Sequence, residues 1–196
     1  MEDRPSLTAS FGAGRRLLML LAMLAASAVA VGMELPAGVQ EGDLIFREGT
    51  EAVSVAVMAL DRSGFSHVGM LVKRQEAWSV LHATPSERPD AADGVVIDSL
   101  DFFVHPDRAR RYEIHHVEAD SATRLRAVAS AMRNVGRPFL VADTRGTYCT
   151  LLLWDAWRDA GMDLDVTFEH LSIPLLAGDY LLPGALLQSA RLRLLQ

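Results

Sequence analysis

Hydrophobic and polar positions along residues 35–196 alternate in a pattern that predicts short strands mixed with a few helices. Apolar runs of strand length occur at Leu44–Phe46, Phe65–Val72, Trp78–Ala83, Val95–Ile97 and Arg111–Val117. Helical spacing predicts a helix over Glu51–Leu60 capped by Thr50, a helical turn over Asp98–Val104 and a short helix over Gly184–Ala190. A further helix is predicted to begin at its cap Ser121. Its apolar face consists of Leu125, Val128, Ala129 and Met132.

Two histidines lie near the open end of a predicted hairpin. The turn over residues 73–76 separates two apolar strands, and His67 and His82 are equidistant from its centre. Neighbouring strands can bring such side chains into hydrogen-bonding contact, so one imidazole could orient the other. The alternative is that each is an ordinary polar residue at a strand end.

Cys149, the single cysteine of the chain, stands where a buried helix is predicted to begin. Leu152, Ala156 and Ala160 recur at helical spacing, with Leu153 and Trp157 beside them, and Gly161 ends the pattern. The positive end of a helix dipole lowers the pKa of a thiol, which predicts an activated nucleophile. A small buried apolar residue is the other interpretation.

The composition and the net charge exclude several classes of partner and site. Half of the 196 residues are hydrophobic, and the formal net charge is −6, which fits one globular domain and argues against a nucleic-acid partner. A single cysteine excludes an intramolecular disulfide and any zinc site built on several thiolates. We therefore expect no cofactor and no metal.

The N-terminal residues have the layout of an export signal. Arg15 and Arg16 precede an uncharged apolar run, Leu17–Val31, that ends in small residues. We expect residues 1–31 to be a signal peptide or an N-terminal membrane anchor, and residues 32–196 to be the functional domain. The protein would then be exported, as a periplasmic or secreted protein, or anchored in the inner membrane, with possible membrane association through this segment. A buried helix of the fold is the remaining alternative.

Four motifs in order give the chain a family resemblance: Gly42–Phe46, Ser66–Met70, Tyr148-Cys149 and Leu182–Leu186. Over roughly residues 38–190 it resembles the permuted papain-like cysteine hydrolases. Within these it is most similar to the YiiX/YebB-like group, relatives of NlpC-type peptidases and of lecithin:retinol acyltransferase. The resemblance implies an α+β, permuted papain-like fold, with an antiparallel sheet or small barrel packed against helices. It also implies Cys149 as nucleophile, His67 as base, His82 as the orienting residue and Tyr148 beside the substrate or oxyanion.

The predicted function is therefore a cysteine hydrolase, amidase- or peptidase-like, that forms an acyl-enzyme with an amide or ester. A cell-envelope peptide is one expected substrate. An acyltransferase or lipid hydrolase would use the same residues, and Leu140 and Leu151 would suit an acyl chain. The substrate would accordingly be a small peptide, an amide or an acyl lipid. A non-catalytic binding module is a third hypothesis, because the acidic residue that often follows Cys-Ser in this group is replaced by Leu151.

Overall fold

A computed structural model describes residues 35–88, 92–174 and 176–195 of the chain. Its strands are β1 (Leu44–Gly49), β2 (His67–Arg74), β3 (Ala77–Thr84), β4 (Gly94–Ser99), β5 (Ala109–Val117), β6 (Glu169–Leu171), β7 (Gly178–Tyr180) and β8 (Leu192–Leu194). Its helices are α1 (Ala52–Leu60), α2 (Leu100–Phe103), α3 (Ser121–Arg133), α4 (Cys149–Asp159) and α5 (Pro183–Leu187).

Six of these strands form one antiparallel sheet in the order β4-β3-β2-β1-β5-β8, and β6 and β7 form a separate pair. One face of the sheet packs against α3 and α4 in a cluster centred on Phe46, Met70 and Trp157. The other face is covered by α2, through Leu100 and Phe103. The predicted α+β class with an antiparallel sheet packed against helices is confirmed.

The β2–β3 hairpin has a tighter turn than the sequence predicts. Gln75 and Glu76 are its two turn residues, both with positive φ, and Arg74 pairs with Ala77. Two-residue turns of this kind match the twist of the flanking strands. The prediction that His67 and His82 are equidistant from the turn is therefore wrong, because Met70 pairs with Leu81 and the same register sets His82 level with Gly69.

Two predicted helix caps are also wrong. The N-cap of α1 is Glu51, and the hydroxyl of Thr50 donates instead to the carbonyl of Asp107. The N-cap of α3 is Asp120, whose carboxylate accepts a hydrogen bond from the N–H of Thr123. In both cases the N-cap is the residue next to the predicted one, and only Asp120 caps its helix through its side chain.

The buried face of α3 differs from its apolar face in the sequence. Leu125 is 66% exposed, whereas Ala127 and Ala131 are buried. Arg124 is buried as well, because its guanidinium donates to the carboxylate of Asp43 at 2.7 Å and to the carbonyl of Glu41. Small side chains and one long-range ion pair therefore decide how α3 packs.

The predicted leader, residues 1–31, lies outside the described residues. None of the helices in the described part of the chain has the length and apolarity that crossing a bilayer requires.

Candidate active site

The two predicted histidines are in direct contact. Nε2 of His67 and Nδ1 of His82 lie 2.8 Å apart, and both residues are buried. The contact is diagonal across β2 and β3, and it passes over Gly69, where a Cβ atom would lie 3.2 Å from Cβ of His82. The ring of Phe103 on α2 packs against both imidazoles, with centroid separations of 5.6 and 5.1 Å. Strand register and an aromatic wall thus hold the pair in place.

The second nitrogen of His82 has a partner that sequence reasoning missed. Nε2 of His82 lies 3.1 Å from Oδ2 of Asp98, and the guanidinium of Arg88 donates to Oδ1 at 2.6 Å. The sequence interpretation assigned Asp98 to a helical turn, but it belongs to β4, directly opposite Val80. Extending the strand by one residue and following its two-residue period would have placed this carboxylate on the same face as His82.

A buried ion cluster lies next to the histidines. Arg47, which follows three core residues on β1, is 2% exposed and donates to Glu87 at 2.5 Å and to the carbonyl of Phe103. Glu87 also accepts hydrogen bonds from Arg108 and Thr84. A charged residue in an otherwise apolar strand is a sequence signal for Arg47, whereas Glu87 lies in a polar loop that gives none.

Cys149 is the first residue of α4, as predicted, and it lines the same cavity as His67. The sulfur is hydrogen-bonded to the backbone of Val68, the residue after His67, and of Thr150. No hydrogen bond joins the sulfur to either imidazole among the residues that the structure describes. The fold therefore brings the predicted nucleophile and the predicted base to one cavity, without a hydrogen bond between the sulfur and the imidazole.

The electrostatics of the site favour neutral groups. Burial raises the pKa of the Cys149 thiol to about 11 and outweighs the backbone N–H groups and the Arg47 charge, which lower it. Burial, the guanidinium of Arg47 and the neighbouring His82 hold the pKa of His67 well below its usual value. The prediction of a lowered thiol pKa is wrong, because the cost of desolvating the thiolate exceeds its stabilisation by the backbone hydrogen bonds and by Arg47.

Tyr148 lies beside Cys149 and lines the cavity, as the resemblance implies. Its hydroxyl oxygen accepts a hydrogen bond from the N–H of Leu181 at 3.0 Å, which leaves the hydroxyl hydrogen as a donor. Burial raises the pKa of Tyr148 to about 12, so this donor persists at every physiological pH. Its role at an oxyanion stays a prediction.

The cavity next to Cys149 has a volume of about 290 Å³ and a mostly apolar wall. One side of the wall is α1, a helix whose burial is inverted: its one polar residue, Ser54, is its only buried residue. Val53 and Leu60 on α1, and Val141 on the facing loop, are 47%, 37% and 38% exposed although all three line the cavity. Apolar side chains left open to water in this way are typical of a binding site.

Three side chains in this region could in principle hold a metal ion. His67, His82 and Glu87 each place one donor atom within 4.8 Å of the others. Within the described part of the chain this is the one such group of three or more.

Comparison with known proteins agrees with this architecture. Residues 38–172 match the sequence model of a family described as permuted papain-like amidase enzymes, YaeF/YiiX, C92 family. A solved structure described as the metalloprotein yiiX from Escherichia coli O157:H7 superposes with a TM-score of 0.66 at 21% identity, covering 80% of this chain and 96% of that one. No curated protein matches the chain.

Proposed function

Because the chain belongs to this family of permuted papain-like amidases, we propose that it hydrolyses an amide bond with Cys149 as nucleophile and His67 as base. The observation that carries the proposal is that Cys149 and His67 line one cavity while His67 is hydrogen-bonded to His82 at 2.8 Å. A thiol that shares a cavity with an imidazole, itself held by an orienting hydrogen bond, supplies the three groups that covalent acyl transfer uses.

The reaction begins with a neutral thiol and a neutral imidazole. As the sulfur attacks the carbonyl carbon, the S–C bond forms, the S–H proton moves to His67, and the carbonyl electrons move to the oxygen. The oxyanion is stabilised by the N–H of Cys149 at the start of α4 and by the hydroxyl of Tyr148. When the C–N bond breaks, His67 returns the proton to the leaving nitrogen, and a water molecule then hydrolyses the thioester by the reverse sequence.

The wall of the cavity supports a substrate with an apolar acyl group. The cavity is lined by Val53, Val57 and Leu60 of α1, and also by the paired side chains Arg47 and Glu87, of which Glu87 lies close to His67. An acyl chain along α1 would bury these exposed side chains and place its carbonyl carbon near Cys149. Each buried methylene contributes about 0.8 kcal/mol, so affinity should rise with chain length.

Hydrolysis of a short cell-envelope peptide is the second candidate, and an acyltransferase reaction would follow if an acceptor other than water took the acyl group. Both use the same cysteine and differ in what fills the cavity and what attacks the thioester. A non-catalytic binding module is the third candidate; it needs the cavity but not the sulfur. The preferred substrate, and whether activity or binding depends on Cys149, distinguish these candidates.

The donors that could hold a metal ion do not fit a resident one. The guanidinium of Arg47 lies 2.5 Å from Glu87, and a cation bound there would face this positive charge. His67 and His82 each direct a ring nitrogen at the other, so a metal ion would have to break their hydrogen bond. We therefore expect turnover to survive exhaustive dialysis against EDTA.

Hydrolysis of a series of N-acyl amides of increasing chain length, with short peptide amides beside them, tests the proposal. We expect KM to fall with chain length, and Cys149→Ala to abolish both turnover and the covalent acyl adduct seen by mass spectrometry. Unchanged turnover in Cys149→Ala would overturn the assignment of the nucleophile. A peptide amide cleaved faster than every acyl amide would favour the second candidate.

Two valines on α1 give a matched pair for the cavity. Val57 lines it, whereas Val55, on the same helix and 59% exposed, does not. Val57→Asn should raise KM for the longest acyl amide, and Val55→Asn should leave it unchanged. Equal effects of the two substitutions would show that the acyl chain binds elsewhere.

The export of the protein is a further proposal, supported by the sequence layout of residues 1–31. N-terminal sequencing of the protein from an extracytoplasmic fraction tests it. A full-length chain in the cytoplasm would contradict it.

A further inference from the structure

We propose that Asp98 is a positioning residue that fixes the tautomers of His82 and His67 and thereby makes Nδ1 of His67 the atom that accepts the thiol proton. The inference rests on the proposed function for its catalytic meaning, but the tautomers themselves can be measured without any substrate. Neither the family description nor the sequence motifs point to this carboxylate.

The three groups form a diagonal line across three neighbouring strands. His67 on β2 contacts His82 on β3, and His82 contacts Asp98 on β4, at 2.8 and 3.1 Å. Each contact crosses to the next strand and moves two residues along it, since His82 is level with Gly69 and Asp98 pairs with Val80. Diagonal neighbours are within reach of long side chains on one face of a sheet, so the line follows from strand register.

Proton counting along this line leaves one arrangement. An ionised carboxylate can only accept, so Nε2 of His82 must carry a hydrogen and donate it to Asp98. A neutral His82 then has a lone pair on Nδ1, which must accept from Nε2–H of His67. A neutral His67 with its hydrogen on Nε2 has its lone pair on Nδ1, free to take a proton from Cys149. One carboxylate thus sets the proton positions of two rings.

The charge states that this argument requires are present. Hydrogen bonding to His82 and the nearby cations Arg88 and Arg108 hold the pKa of Asp98 below its usual value despite burial. Burial lowers the pKa of His82, although its bond to Asp98 acts in the opposite direction. His67 is neutral for the reasons given above. The line is therefore one carboxylate and two neutral imidazoles at physiological pH.

Arg88 makes the arrangement testable because it gives the two carboxylate oxygens different partners. Its guanidinium donates to Oδ1 of Asp98 at 2.6 Å and stacks on Phe102 at 4.2 Å, whereas Oδ2 faces His82. In Asp98→Asn the amide oxygen must face the Arg88 donor, so the amide NH2 faces His82. The NH2 donates to Nε2 of His82, Nδ1–H of His82 donates to His67, and the hydrogen of His67 moves to Nδ1.

The conservative substitution should consequently be the more damaging one. Asp98→Asn imposes the wrong tautomer on His67, a defect that costs about 10⁴-fold in the Ser-His-Asp triad. Asp98→Ala removes one hydrogen bond to a charged group, which is worth about 10- to 100-fold. Combining Asp98→Asn with Arg88→Met frees the amide to turn its oxygen toward His82 and should restore activity toward the Asp98→Ala level. A residue with only a structural role would give the opposite order.

The experiment combines nitrogen-15 NMR of the histidine rings with the acylation rate of Cys149 by p-nitrophenyl octanoate. We expect both His67 and His82 of the wild-type protein to carry their hydrogen on Nε2, and both to carry it on Nδ1 in Asp98→Asn. Asp43→Asn is the matched control, because Asp43 is also a buried carboxylate but is paired with Arg124 and His116. It should lower the melting temperature and leave the two tautomers unchanged.

The outcomes separate this inference from the proposed function. His67 protonated on Nδ1 in the wild type, or Asp98→Asn at least as active as Asp98→Ala, would overturn the inference. If Cys149 is never acylated, the proposed function fails, while the NMR spectra still decide the tautomers. The wild-type spectra alone decide them should a variant not fold.

Discussion

The pH dependence of Cys149 reactivity tests the charge state of the resting site. The protein is mixed with a small neutral disulfide at a series of pH values from about 6 to 10, and the rate of mixed-disulfide formation is followed. Because Cys149 is the only cysteine, all of the signal comes from the site. The expected profile rises throughout this range, because burial raises the pKa of the thiol to about 11.

The size of the effect follows from that value. At pH 8 a thiol with an unperturbed pKa of ~8.5 is about one-quarter thiolate, whereas one with a pKa near 11 is ~0.1% thiolate, a difference of about 240-fold. The more basic thiolate is intrinsically more nucleophilic, which returns about 13-fold at a Brønsted slope of ~0.45. Cys149 should therefore react about 20-fold more slowly than a free thiol at this pH, before any steric obstruction.

The same protein unfolded in urea is the control, since its thiol should show an ordinary pKa. A plateau of reactivity below about pH 7 in the folded protein, abolished in His67→Ala, would refute the reasoning. Such a plateau would mean that a thiolate–imidazolium pair exists before substrate binds. The desolvation of Cys149 would then be outweighed by an attraction that the resting geometry does not contain.

Three further predictions concern stability. His67 and His82 have lowered pKa values in the folded protein, so they are neutral there and take up protons on unfolding. The free energy of unfolding should therefore fall as the pH drops below about 6.5. Urea titrations at two pH values check this, and equal free energies of unfolding would contradict it. Gly69→Ala should lower the melting temperature and the acylation rate, because its Cβ would lie 2.2 Å from Cγ1 of Val80; unchanged melting would show that the hairpin yields. Tyr148→Phe leaves the buried N–H of Leu181 without its acceptor and should cost about 1–3 kcal/mol in urea unfolding, and an unaltered midpoint would argue against that hydrogen bond.

The order of β1–β5 and of the five helices could be predicted from the sequence because strand and helix periods are local properties. The buried face of α4 was predicted correctly, since Leu152, Ala156 and Trp157 pack directly into the main cluster. The buried face of α3 could not be predicted, because it depends on the ion pair between Arg124 and Asp43, which are 81 residues apart. No pattern within a helix encodes a partner at that distance.

The candidate site divides in the same way. Contact between His67 and His82 could be anticipated from one hairpin, although the register was wrong because Gln75 and Glu76 adopt positive φ without a glycine. Predicting the contact between Asp98 and His82 would have required the correct register and a β4 strand one residue longer than the predicted one. The raised pKa of the Cys149 thiol could not be predicted from the sequence either. The position of Cys149 at the start of α4 indicates the helix dipole but not the degree of burial.

The diagonal line across β2, β3 and β4 has a consequence for the making of the protein. Every group in it belongs to a continuous meander that ends at Ser99, whereas the sulfur follows 50 residues later in the chain. During translation, the carboxylate and both imidazoles are thus synthesised well before the sulfur that attacks the substrate. A nascent chain that ends between these points contains all three groups of the diagonal line but no nucleophile, so acylation has to wait for the synthesis and packing of α4.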